Sequence, residues 1–267
     1  MPTIDFSTYT ELLFDRDEKV LTVTLNRPEK MNPVSGKMSL ELIRLLRELA
    51  CDEEFQAIIV TGAGSGFSAG GDLAVMKQNL DRPQAFFDTI IEARDLVHAL
   101  IDCPKPVIAK VNGPAIGLGA TVALFCDMTF AAEDAKISDP HITFGLVPGD
   151  GGAIIWPLLI GLPRAKEYLL TGDALTGAEA AKLGLINRAV PREELDQVVR
   201  DFARRLTKGP PRIMHFTKLA MNVALKREVS ALFDAAYGYE MVAAFSDDHR
   251  EAVTAWFEKR KPEFTGS

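Results

Sequence analysis

Hydrophobic and polar positions in the first half of the chain switch between two periods. Lys19-Val-Leu-Thr-Val-Thr-Leu25 alternates apolar and polar residues, with β-branched enrichment, and stops at Asn26-Arg-Pro28, which predicts a strand. From Gly36 to Ala50 the apolar residues Met38, Leu42, Leu45, Leu46 and Leu49 recur at helical spacing. A β-rich run, Ala57-Ile-Ile-Val-Thr61, follows, and then a second amphipathic helix over Pro83 to Ile101. The expected buried face of that helix is Phe86, Phe87, Ile90, Ile91, Val97 and Leu100. Pro106-Val-Ile-Ala-Lys-Val111 reads as a third strand. Strands alternating with helices in this order predict right-handed crossovers and a parallel sheet, the α/β class.

Beyond residue 126 the pattern becomes more helical. Short strands are expected at Met128-Thr-Phe-Ala131 and Ile186-Asn-Arg-Ala-Val190, with a helix opened by the capping box Thr176-Gly-Ala-Glu179 between them. From Pro191 onward the sequence is helical, broken near Gly209-Pro-Pro211 and Ser246-Asp-Asp248. The expected division is an α/β core over residues 1–200 and a helical region over residues 201–267. Phe233, Tyr237, Met241, Val242 and Phe245 give the latter a broad apolar face, which a neighbouring subunit would cover.

Two glycine turns carry the first chemical signal. Phe67-Ser-Ala-Gly-Gly-Asp-Leu73 follows the strand at 57–61, and Asn112-Gly-Pro-Ala-Ile-Gly-Leu-Gly-Ala120 follows the strand at 106–111. Each runs on into helix-like sequence. A strand–glycine turn–helix edge leaves backbone N–H groups unpaired where the helix dipole favours negative charge. Two such edges facing one point would hold an oxyanion. Neither turn fits a dinucleotide fingerprint: the third glycine position falls on Phe67 in one and on Val122 in the other. A Walker A lysine is also missing.

Composition narrows the classes. The 267 residues carry a formal net charge of −7, which argues against a nucleic-acid partner. Cys51, Cys103 and Cys126 are widely spaced and odd in number, as expected of free thiols in a reducing compartment. Met1-Pro-Thr-Ile-Asp5 lacks a basic segment followed by an apolar one, and no apolar run reaches membrane-spanning length. A cytoplasmic protein with no membrane partner is the expectation.

Several motifs now fall into one order. They are Asn26-Arg-Pro28 with Asn32, Phe67-Ser-Ala-Gly-Gly-Asp-Leu73, Lys105-Pro-Val-Ile-Ala-Lys-Val-Asn-Gly113, and Gly117 with Gly119. Cys126-Asp127, Gly145-Leu-Val-Pro-Gly149, Leu170-Thr-Gly172, Ala181-Lys-Leu-Gly-Leu185 and Phe257-Glu-Lys-Arg-Lys261 complete the set. Over nearly its full length the chain resembles the crotonase, or enoyl-CoA hydratase/isomerase, superfamily. The resemblance implies a spiral of ββα units with a C-terminal helical trimerisation region, assembled as a homotrimer or a dimer of trimers. It also implies a coenzyme A thioester substrate, with no permanently bound cofactor and no metal. Matched by position, the oxyanion donors are the backbone N–H groups of Gly71 and Leu118, within a binding segment that includes Ala69, Gly70, Asp72 and Gly117. Asp72 is expected to fix its loop, and Lys259 to contact the phosphate or adenine end of coenzyme A.

The acid–base positions depart from the family. Hydratases of the superfamily use two glutamates to hold water and move its proton; the matching positions here are Thr121 and His141. A threonine hydroxyl positions water but is a poor base, whereas histidine serves as acid or base near neutrality. Asp150, in Val147-Pro-Gly-Asp-Gly-Gly152, is the expected carboxylate partner that fixes the imidazole tautomer. This stretch, with Trp156-Pro157, is similar to 6-oxocamphor hydrolase, a superfamily member that cleaves a carbon–carbon bond in a β-diketone. The leading expectation is therefore an acyl-CoA enzyme acting through a stabilised enolate without the two usual glutamates. The alternatives are a C–C bond hydrolase of a β-dicarbonyl using His141 and Asp150, or a non-catalytic acyl-CoA binder. His98, His215 and His249 are expected to be surface or packing residues.

Overall fold

A computed structural model describes residues 4–82 and 84–267. The strands are β1 (Leu12–Asp17), β2 (Val20–Leu25), β3 (Ala57–Gly62), β4 (Val107–Val111), β5 (Ala115–Ile116), β6 (Met128–Ala132), β7 (Lys136–Ser138), β8 (Leu175–Thr176) and β9 (Arg188–Val190). The helices are α1 (Gly36–Cys51), α2 (Leu73–Asn79), α3 (Ala85–Asp102), α4 (Leu118–Phe125), α5 (Gly152–Ile160), α6 (Leu162–Thr171), α7 (Gly177–Leu183), α8 (Arg192–Thr207), α9 (Pro211–Ala243) and α10 (Asp247–Glu258). The result is the mixed α/β architecture that the strand–helix alternation and the family resemblance implied.

The main sheet runs in the order β1–β2–β3–β4–β6–β9. Every residue of β3 is buried, and four of the five in β4, as expected of central strands covered on both faces. The sheet is not wholly parallel: β1 pairs antiparallel with β2, from Leu12↔Leu25 to Asp17↔Val20. Asp15, Arg16 and Asp17 hid this strand from a hydrophobic pattern, yet charge suits an exposed edge.

The smaller sheet, β5–β7–β8, joins the second glycine turn to the segment carrying His141. Ala115 and Ile116 pair parallel with Ile137 and Ser138, three residues before the histidine. A 3-10 turn over His141–Phe144 then reverses the chain at Gly145.

Helix boundaries follow capping chemistry. Ser35 caps α1 by accepting from the Met38 N–H, and Met38, Leu42, Leu45, Leu46 and Leu49 are all buried as expected. The Thr176/Glu179 capping box opens α7. Pro83, the expected start of the second amphipathic helix, lies outside the described residues; α3 starts at Ala85. Phe87 and Ile91 do not belong to its buried face, being 50% and 60% exposed. The first half of α3 covers a cavity instead of the sheet, so the inward stripe there is Phe86, Thr89, Glu92 and Ala93. The last expected strand is shorter than its apolar pattern and starts at Arg188.

Both expected helical breaks are present, between α8 and α9 and between α9 and α10. α8 itself runs through the expected boundary at residue 200. Lys218 fastens α9 to the core: its Nζ lies 2.7 Å from Asp127 and donates to the carbonyls of Leu100 and Lys105. Thus Phe233 and Tyr237 are buried within their own chain, while Val242 and Phe245 remain exposed. No described helix is long and apolar enough to cross a membrane.

Candidate active site

The two glycine turns meet. Phe67 and Ser68 N–H both donate to the Pro114 carbonyl at 3.0 Å, and Ile116 N–H donates to the Ser68 carbonyl at 3.0 Å. Close approach requires a bare backbone at Gly70, where φ is +89° and a Cβ would sit 2.5 Å from the Ile116 carbonyl oxygen and 3.5 Å from the Leu118 nitrogen. Asn32, fully buried, donates to the carbonyls of Ala63 and Gly66 and so holds the approach to the first turn. Gly71 and Leu118 then line one cavity of about 260 Å³. Among the described backbone hydrogen bonds outside helices and strands, neither of their N–H groups is a donor. Leu118 opens α4, so its N–H also lacks an intrahelical acceptor.

An acid–base cluster occupies the same cavity. His141 is fixed through Nδ1 by a hydrogen bond to Oδ1 of Asp139, whose side chain is fully buried. Its Nε2 lies 3.6 Å from Asp150 Oδ2 and 3.9 Å from Glu240 Oε1. These two distances are beyond direct hydrogen bonding but leave the nitrogen facing two carboxyl groups. Thr121 donates to Asp150 Oδ1 at 3.1 Å, and the Gly152 N–H reaches the same oxygen at 3.3 Å. Asp139 is seated against Gly152, where a Cβ would come within 2.0 Å of Oδ2. Asp150 Oδ2 and Glu240 Oε2 are buried without a hydrogen-bond partner.

Electrostatics distribute protons unevenly over this cluster. Burial pulls the His141 imidazole down, but Asp139, Asp150 and Glu240 outweigh it and hold the imidazole well above its ordinary value. Burial raises the carboxyl of Asp150 despite the opposing charge of His141. Burial likewise pushes Glu240 up to about 8, against the opposing charge of His141. Tyr237, one turn before Glu240 on α9, is raised by burial and stays a neutral phenol. The donor atoms of Asp139, His141 and Asp150 lie within 4.8 Å of one another, the spacing of a metal-binding set. Here Nδ1 is bonded to Asp139 and Nε2 faces Asp150.

The expected site residues therefore separate. His141 and Asp150 come together with Gly71 and Leu118, but the carboxylate on Nδ1 is Asp139, and Asp150 faces the other ring nitrogen. Thr121 stands behind Asp150, off the cavity wall. Asp72 lines the cavity, caps α2 and pairs with Arg27 at 2.9 Å; that bond holds its carboxyl below the usual range despite burial. Ala69 donates to the Met31 carbonyl, and Gly117 to the Ser138 carbonyl, so both hold the turns in place. Lys259 is an exposed C-cap of α10, away from the cavity lining. His249 is buried and bonds the Phe144 carbonyl at 2.7 Å, a packing role. Asp139, Tyr237 and Glu240 were not anticipated. The signal for Glu240 was its place on the stripe Val229, Phe233, Tyr237, Glu240, an acid on an otherwise apolar face.

Two strand-linked glycine turns, with the backbone of Gly71 and Leu118, thus share one cavity with a histidine–carboxylate cluster. The family model for enoyl-CoA hydratase/isomerase matches residues 15–267, so the chain belongs to that family. It is 36% identical over 259 residues to the 1,2-epoxyphenylacetyl-CoA isomerase of Escherichia coli, covering 96% of this chain and 99% of that one. It is 33% identical over 264 residues to the crotonyl-CoA hydratase of Syntrophomonas wolfei, with 96% and 98% covered. Its fold superposes on an enoyl-CoA hydratase/isomerase from Mycobacterium paratuberculosis with a TM-score of 0.86 at 36% identity, covering 92% of this chain and 98% of that one.

Proposed function

We propose that this chain acts on an acyl-CoA thioester, holding the thioester oxygen on the Gly71 and Leu118 N–H groups as it becomes an enolate, while His141 moves the proton. The observation that carries this reading is the sharing of one cavity by these N–H groups and His141, whose Nδ1 is committed to Asp139 and whose Nε2 is therefore the exchanging nitrogen. Backbone donors stabilise charge that develops only in the reaction. Near neutrality the cluster holds protons on Nε2 and on Glu240, with the Asp150 carboxyl beside them. In its neutral form His141 takes a proton from a water whose oxygen bonds to the β-carbon, or from a second carbon of the chain, and the imidazolium so formed gives a proton to the α-carbon of the resulting enolate, giving hydration or isomerisation respectively. Coenzyme A enters as part of the substrate, and Lys259 is an exposed cation for its phosphate end. The exposed apolar residues Ile213, Phe216 and Val242 of α9 support self-association as a homotrimer or dimer of trimers.

The neutral Glu240 favours one second reading, hydrolysis of a β-dicarbonyl. There His141 in its neutral form would take the proton of an attacking water, and Glu240 would protonate the expelled enolate carbon. A panel of enoyl-CoAs and β-diketones followed by mass spectrometry separates the outcomes. Hydration adds one water without fragmentation, isomerisation leaves the mass unchanged, and this hydrolysis opens a ring or yields two pieces. Binding of acyl-CoA without any turnover identifies a non-catalytic relative. Failure to bind any CoA thioester, or full turnover by His141→Ala, removes the leading reading.

A further inference from the structure

The peptide groups that present the Gly71 and Leu118 N–H are fixed in different ways. Gly117 gives its carbonyl to the Thr121 N–H at 2.9 Å, so the first turn of α4 fixes the peptide that carries the Leu118 nitrogen. Gly71 lies before the N-cap of α2 and has no helix behind it. Its peptide is fixed from outside: the Gly70 carbonyl accepts from the Val34 N–H at 2.7 Å, and Val34 and Gly71 form a parallel β-bridge. In such a bridge the neighbours of the bridged residue bond to the partner segment, and its own N–H stays free of it. The Gly70–Gly71 peptide is trans, so holding its carbonyl also sets the direction of the Gly71 N–H.

The segment that ends in Val34 is itself unusual backbone. Met31 and Asn32 are both left-handed, at φ +60° and +54°. Such conformations persist where the surrounding contacts over-determine them. The Asn32 amide holds the segment to the Ala63 and Gly66 carbonyls, and Arg27 adds a contact that spans to Asp72. Arg27 Nη1 donates to the Pro33 carbonyl at 3.3 Å, and Nη2 donates to Asp72 Oδ2 at 2.9 Å. The planar guanidinium fork thus joins the residue before Val34 to the residue after Gly71. Arg27 is not among the residues lining the cavity, so the fork stands behind the Gly71 backbone. Lys30 lies 3.8 Å from the same Asp72 oxygen and half in solvent, so it shares the charge of Asp72 without the fork.

We propose that Arg27 is a positioning residue for the oxyanion site: by joining Pro33 to Asp72 it holds the Val34–Gly70 hydrogen bond, and with it the direction of the Gly71 N–H. This rests on the acyl-CoA reading above. The guanidinium also neutralises Asp72, whose carboxylate lines the cavity in which the thioester oxygen becomes negative. Backbone donors stabilise that charge only when already in place, and a misplacement of about 1 Å costs on the order of 10²-fold in rate.

The test is infrared difference spectroscopy of bound hexanoyl-CoA, isotope-labelled at the thioester carbonyl carbon, with enoyl-CoA turnover measured alongside. In the wild-type chain the carbonyl band lies below that of the free thioester, because hydrogen bonds from the two donors weaken the C=O bond. In Arg27→Met the band moves back toward the free position, kcat falls roughly 10- to 100-fold, and KM changes by less than about threefold. Arg27→Lys keeps the charge but not the fork; it changes in the same direction and serves where the methionine variant fails to fold. The double variant Arg27→Met/Asp72→Asn, in which asparagine still caps α2, stays defective because the fork is missing. A band unchanged in the folded Arg27 variants overturns the positioning role, as does full recovery in the double variant. A shifted wild-type band without turnover of any enoyl-CoA removes the proton chemistry, and the band alone then decides the role of Arg27. An unshifted band for thioester bound to the wild-type chain removes the oxyanion reading and the role with it.

Discussion

Replacing Glu240 by glutamine isolates what the buried acid cluster costs the fold. Glu240 is 5% exposed, Oε2 has no hydrogen-bond partner, and burial pushes its carboxyl from 4.5 up to about 8. Between those values the folded chain keeps a proton that the unfolded chain has released, so stability falls as pH rises through this window. The whole displacement sets an upper bound of about 5 kcal/mol, at about 1.36 kcal/mol per pH unit. Asp150 and His141 titrate with Glu240 and share that energy, which leaves roughly 1–3 kcal/mol for the single group. His141 slopes the same way: its raised folded value gives stability that is complete below 6.5 and is lost as pH rises through the folded value. That slope survives in the variant, while the Glu240 share disappears because glutamine does not ionise. Urea unfolding of both proteins at about pH 5 and about pH 8.5 reads the difference. Relative to wild type, Glu240→Gln gains roughly 1–3 kcal/mol between the two conditions. Parallel pH dependence of the two proteins would refute the protonation pattern assigned to the cluster.

Three further substitutions probe separate links. Asp139→Asn removes the carboxylate charge that fixes the His141 tautomer, and kcat on the accepted thioester falls by roughly 10²- to 10⁴-fold with little change in acyl-CoA affinity; a loss under about threefold contradicts the orienting role. Gly70→Ala places a methyl group 2.5 Å from the Ile116 carbonyl at φ +89°, and thermal unfolding shows a loss of roughly 2–4 kcal/mol, whereas a change under about 0.5 kcal/mol contradicts the tight junction of the two turns. Lys218→Met leaves Asp127 without the cation 2.7 Å away and lowers stability to urea by about 3 kcal/mol; no change would mean that the other contacts of α9 hold it without this ion pair.

Local chemistry made much of the fold legible. The apolar period of α1, the β-branched runs of β2, β3 and β4, and the Thr176 capping box all appear where their residues place them. β1 escaped because a charged edge strand carries little hydrophobic signal, and β5, β7 and β8 because two or three residues hold no period. The glycine turns were readable because their close approach at Gly70 needs bare backbone, and glycine marks unusual backbone in the sequence itself. The proton cluster was less so. Asp139 sits two residues before His141, but which carboxylate reaches which ring nitrogen depends on the reversal through Pro140 and Gly145. Glu240 comes from α9, distant in sequence, and reaches the cavity on a helix that Lys218, Asn222 and the buried Val229 and Phe233 hold against the core. A contact assembled from such separated segments has no local signature beyond an acid on an apolar stripe.

Deuterium exchange at the α-carbon of a bound acyl-CoA in D2O, followed by mass spectrometry, tests the central claim directly, since only an enolate makes that carbon exchange. The wild-type chain incorporates solvent deuterium, and His141→Ala does so at least about 100-fold more slowly while still binding the thioester. Exchange at the wild-type rate in His141→Ala, or no exchange by the wild type with bound acyl-CoA, would contradict an enolate held on Gly71 and Leu118 and protonated through His141.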